Sequence, residues 1–106
     1  MTNQDRLEAV AKADATAELL DHIGWTEVVL PKLLKTKDLY TTVLVQAVLS
    51  NKPPTMDGQE TTREQLAGRV YGIEYVIKLF ESILSKGEGA LKALEAQGLS
   101  INSKLH

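Results

Sequence analysis

The residue types that most often carry chemistry are scarce in this chain. There is no cysteine, and His22 and His106 are the only histidines, so neither a thiolate site nor a two-histidine metal motif is available. His22 follows Asp21, an order that could belong to a Ser-His-Asp set, but no strained nucleophile turn accompanies it. It reads as a capping or packing residue at a helix junction. Carboxylates stand four residues apart at Asp14/Glu18 and at Glu60/Glu64. Acid–base work by such pairs needs a pocket that drives their pKa values apart, and a helix start or a polar helix face provides none. Lys32, Lys35 and Lys37 form the densest basic group, which suits phosphates or an acidic protein surface. Asp38 follows at once, and no aromatic is interleaved as a stacking platform. Lys86-Gly87-Glu88-Gly89 lacks the preceding strand of a phosphate loop and carries an acid where the anion would sit. The reading is of a protein that is not an enzyme, with no catalytic, cofactor-binding or metal-holding residues.

Composition points the same way. At 106 residues the chain is sized for a single domain, expected over 1–98 with a tail at 99–106. Twelve Lys plus Arg against 14 Asp plus Glu give a net charge of −2, which argues against a dedicated nucleic-acid binder. Hydrophobics at 43% and charges at 25% are ordinary globular values, so wholesale disorder is excluded. The absence of a long apolar run and of a basic-then-apolar leader predicts synthesis and residence in a cytosol-like compartment, with no membrane partner.

These residues must be positioned by helices. Residues 4–20 are rich in Ala, Leu, Glu and Lys, with Thr2 or Asn3 as the cap and a thin apolar stripe of Val10, Ala13, Ala17 and Leu20. A junction at Asp21-His22-Ile23-Gly24-Trp25 leads to a second helix reaching about Ser50. Pro31 lies inside it and should kink or interrupt it near Leu30. Trp25, the sole tryptophan, is either a core plug at this junction or an exposed interface anchor. Ser50 to Gln59 reads as loop. Thr61-x-x-Glu64 fits a capping box for a third helix over 62–85. Ser85 to Gly89 should weaken or break that helix, leaving a short fourth from about 90 to Gln97. The expected fold is all-α: three main helices with the third central, a short C-terminal helix and an extended tail.

Helix three carries the most informative pattern. Leu66, Val70, Ile73, Ile77, Phe80 and Leu84 alternate spacings of four and three, one continuous core stripe. The opposite side carries Gly68, Gly72, Tyr75 and Leu79. A mid-helix glycine costs about 1 kcal/mol relative to Ala, so two of them need a compensating close approach. Helix one could supply it within the chain, and a partner subunit could supply it from outside. In the tail, Leu99, Ile101 and Leu105 alternate with polar residues, a period suited to an extended segment. Ile101 and Leu105 are expected to lie along a neighbouring subunit or another protein, with packing on the chain's own helices as the alternative.

Two stretches resemble a known kind of protein. They are Glu18-Leu19-Leu20-Asp21-His22-Ile23-Gly24-Trp25, continued by Val28, Leu30-Pro31 and Leu33-Leu34, and Glu64-Gln65-Leu66-Ala67-Gly68-Arg69-Val70-Tyr71-Gly72-Ile73. Together they look like a recurring family of small tailed-bacteriophage proteins with a leucine pair, His-Pro-Gly-Trp, a helix, a short loop and a helix opening on Arg-Gly-Arg-Ile. Here Ile23 takes the place of the proline and Ala67 that of the first arginine. The resemblance implies a helical virion component or assembly factor, made in the host cytoplasm and encoded near the portal, head or tail genes. It implies self-association and docking on larger virion proteins such as portal or major capsid protein. His22, Gly24, Trp25, Gly68 and Arg69 carry it and are read structurally. A small cellular helical adaptor or regulator is the competing expectation.

Overall fold

The computed structural model describes all residues, Met1–His106. The chain is mostly helical, with three α-helices and one two-stranded hairpin in the order α1 (Asn3–Asp21), a π-helical stretch (Gly24–Val29), α2 (Leu30–Ser50), β1 (Thr55–Met56), β2 (Gln59–Glu60) and α3 (Arg63–Ala96). It divides into two compact units, one of Met1–Thr26 with Ile77–His106 and one of Glu27–Val76.

In the first unit, Thr2 caps α1. Its hydroxyl accepts from the Asp5 N–H at 3.1 Å, and its own N–H donates to the Asp5 carboxylate at 3.1 Å, a reciprocal box. The helix stops at His22, whose N–H donates to the Leu19 carbonyl while the chain turns extended. The imidazole Nδ1 accepts from the Gly24 N–H at 3.0 Å, so His22 is a cap. The core here consists of Val10, Ala90, Leu91 and Leu94, with Ala9, Ile101 and Leu105 packed against it. Trp25 is half-buried and meets Phe80 edge to face, with centroids 5.2 Å apart and planes at 89°. That is the junction plug rather than a free anchor.

Two expectations need correction in this unit. No break occurs at Ser85–Gly89, and no separate fourth helix exists, because α3 continues to Ala96. The reason is Gly87, which is buried: a Cβ there would overlap the Ala13 Cβ, lie 3.1 Å from the Ala9 carbonyl and 3.2 Å from Leu105. Close packing of α1 on α3 offsets the cost of the glycine. The tail, expected along a neighbour, lies instead on its own helices. Asp14 Oδ1 accepts from the Ser103 hydroxyl at 2.7 Å and from the Lys104 N–H at 3.0 Å. Lys104 also reaches Glu18 at 3.3 Å, and His106 meets Glu95 at 2.9 Å. Ile101 and Leu105 are thereby half-buried within the chain.

In the second unit, α2 and the first half of α3 flank the hairpin. Backbone i→i+5 hydrogen bonding over Gly24–Val29 gives way to α-helix at Leu30, so Pro31 sits in the first turn of α2, the helical position that best tolerates a proline. At the other end Asn51 is left-handed (φ 52°), and the Ala47 carbonyl accepts from Lys52 N at 3.2 Å and from Arg63 Nη2 at 3.1 Å. That brings a cation to the end of the helix whose dipole favours one. Within the stretch read as loop, Thr55 pairs with Glu60 and Met56 with Gln59. Asp57 and Gly58, both at positive φ, form the two-residue turn. The box opening α3 is one residue later than expected: the Thr62 hydroxyl accepts from Gln65 N at 3.1 Å, and Gln65 Oε1 accepts from Thr62 N at 3.4 Å. Ala47, Leu66 and Pro54 are the buried residues of this unit.

Candidate functional site: an uncovered face of α3

The core stripe of α3 is filled as its spacing demands. Leu66, Val70, Ile73, Ile77, Phe80 and Leu84 are all buried or half-buried, and Gly87, Leu91 and Leu94 prolong the same alternation of four and three. The opposite side is different. A Cβ built on Gly68 or on Gly72 meets nothing within 4 Å. Gly87, by contrast, is where α1 makes its close approach. Tyr75 and Leu79 on the same side are 55% and 43% exposed.

Tyr71 belongs to this surface too. It is 67% exposed and stacks on Tyr75 with centroids 6.3 Å apart and rings inclined by 28°. Two aromatics four apart on a helix was the available signal. The pair presents a flat aromatic platform between the two open glycines and Leu79. Such a platform has large contact area and little conformational entropy to lose, the property that makes tyrosine frequent at protein interfaces.

Beside this face, in the second unit, runs an open groove of about 450 Å³ lined by Leu33 and Tyr40 from α2 and by Arg69, Gly72, Ile73 and Val76 from α3. Thr36 also lines it, and its charged group is Arg69, whose guanidinium lies 5.5 Å from the centre of the Tyr40 ring. Lys37 pairs with Glu74 at 3.5 Å. Of the lysine group, then, Lys37 is tied down while Lys32 and Lys35 point outward.

The other candidate residues are spread apart. Asp14 and Glu18 hold the tail, Glu60 and Glu64 are exposed, and His22, Gly24 and Pro31 shape the junction. Asp5 is held below the ordinary aspartate value, first by the Thr2 backbone N–H and then by the Thr2 hydroxyl. No group of three or more His, Cys, Asp or Glu side chains is placed to hold a metal ion, and no helix is long and apolar enough to cross a membrane. The arrangement suits binding by shape and apolar area. No protein-family model, curated protein or solved structure matches this chain.

Proposed function

We propose that this chain is a non-enzymatic structural or assembly protein of a tailed-bacteriophage particle, docking by its exposed apolar helix surface on copies of itself and on larger virion proteins such as portal or major capsid protein. The observation that carries the docking is the face of α3 bearing Gly68, Gly72, Tyr75 and Leu79, which nothing within the chain covers. Two glycines that each cost helix stability and touch no neighbour are accounted for by a close-packed partner. Contiguous exposed apolar area of this kind marks interaction sites on soluble proteins. The virion setting comes from the resemblance of the His22-Ile23-Gly24-Trp25 and Gly68-Arg69-Val70 stretches to small phage assembly proteins.

The test is mass spectrometry of purified phage particles, with wild type and Gly72→Arg supplied in turn. The wild-type protein should be a stoichiometric particle component. The variant should fold, since its side chain enters open space, and be missing from particles. Absence of the wild-type protein from particles would turn the reading to the small cellular adaptor.

A further inference from the structure

The uncovered face of α3 has an internal symmetry. Glu64, Gly68, Tyr71, Tyr75, Leu79, Ser82 and Lys86 follow one another at spacings of four, three, four, four, three and four, a pattern that reads the same in both directions about Tyr75. At 100° per residue these positions fall in one sector about 80° wide, and they span about 33 Å of helix. All seven are exposed, Lys86 at the edge of a cleft that Asp5, Glu8 and Lys12 of α1 also line. Because α3 is one uninterrupted helix, helix geometry alone sets their order along the face.

Turning a second α3 antiparallel about a two-fold axis at Tyr75 exchanges residue i with residue 150 − i. Tyr75 then meets its own copy, Tyr71 meets Leu79, and Gly68 meets Ser82. At each end Glu64 faces Lys86. Every pairing is favourable: aromatic on aromatic, aromatic on aliphatic, small on small, acid on base. Neither Glu64 nor Lys86 takes part in an ion pair within the chain. The N-terminal box of α3 uses Gln65 rather than Glu64, so that carboxylate is free. A parallel pairing would set Glu64 on Glu64 and Lys86 on Lys86. A foreign partner has no need of a pattern symmetric about one residue, whereas a two-fold homodimer does, since each patch must be its own complement.

We propose that a second copy of this chain covers the face, α3 against α3, antiparallel about Tyr75. This rests on the reading of that face as a docking surface, and it names the occupant and the register. The absence of cysteine makes single-cysteine probes clean. Sedimentation should show a dimer of the full chain. Under mild oxidation Tyr75→Cys should cross-link to itself. Tyr71→Cys should not, but should cross-link when mixed with Leu79→Cys. Glu64→Lys and Lys86→Glu should each raise the dimer Kd by roughly tenfold, and an equimolar mixture of the two should restore it, since each repulsive end then becomes attractive. A strict monomer overturns the proposal, as does a dimer in which Tyr71→Cys cross-links to itself or the mixed charge variants stay apart. A monomer that still enters phage particles overturns this pairing and leaves the assembly reading standing. A dimer absent from particles does the reverse.

Discussion

Glycine means opposite things at Gly87 and at Gly72, though both lie mid-helix. Gly87 is a contact point, its missing Cβ replaced by Ala13, Ala9 and Leu105. Gly87→Ala should therefore force α1 away and lower stability by about 1–3 kcal/mol. Gly72→Ala meets open space and should raise the stability of the isolated chain by about 0.5–1 kcal/mol through better helix propensity. Thermal melts of the two variants should move in opposite directions, and a shared direction would mean that the two sites are not distinguished by packing. Trp25 is only half-buried, so Trp25→Ala should cost about 2–3 kcal/mol, less than a fully enclosed tryptophan. A melt within a degree or two of wild type would remove its role against Phe80. Asp5 gives a pH signature. Its carboxyl titrates below the unfolded value because Thr2 donates to it, so its contribution is present above the unfolded pKa and lost as pH falls through the folded one, below about pH 4. An NMR titration of that carboxyl should have a midpoint below that of unfolded aspartate. The Thr2→Ala variant should shift it only part of the way back, since the backbone N–H at position 2 remains while the hydroxyl is lost.

At the level of elements, helices were legible and their limits less so. The amphipathic stripe of α3 is set by spacing, and spacing survives any tertiary context that buries one side. The capping signals were ambiguous because Thr61 and Thr62 are adjacent and Glu64 and Gln65 are adjacent: either register makes a box, and the one formed leaves Glu64 outward. Ser85 to Gly89 looks like a stop by propensity, but propensity is a matter of about 1 kcal/mol per glycine, and the packing of Ala9 and Ala13 on Gly87 outweighs it. The hairpin was hidden by its size, two residues per strand, although Asp57-Gly58 is the usual dipeptide of a tight hairpin turn. The period of two in the tail marks an extended segment but carries no information about the surface it covers. Deletion of residues 99–106 should leave circular dichroism nearly intact while lowering stability by about 1–3 kcal/mol, since Ile101 and Leu105 pack against the cluster of Val10, Ala90, Leu91 and Leu94. Unchanged stability after truncation would make the Asp14 contacts incidental.

For the molecule as a whole, the buried apolar side chains are Val10, Ala13, Ala47, Leu66, Ala90, Leu91 and Leu94, three of them alanines. So small a core gives a chain of this length little margin. Association that covers the α3 face should add stability by mass action, so the melting temperature should rise with protein concentration. A melting temperature independent of concentration over a hundredfold range would argue that the face stays bare.

The sequence by itself determined the features that rest on composition and period: an all-α chain, the stripe that faces inward, the junction at His22-Ile23-Gly24-Trp25 and the scarcity of chemistry-bearing residues. These depend on interactions within a few helical turns, where residue type and spacing suffice. Only the tertiary structure decided which glycine is a contact and which is open, where the tail lies, and that the side of α3 bearing Gly68, Tyr71, Gly72 and Tyr75 is left exposed. Those outcomes depend on which distant segments meet, and a close approach between two helices is a property of the pair that neither local sequence contains.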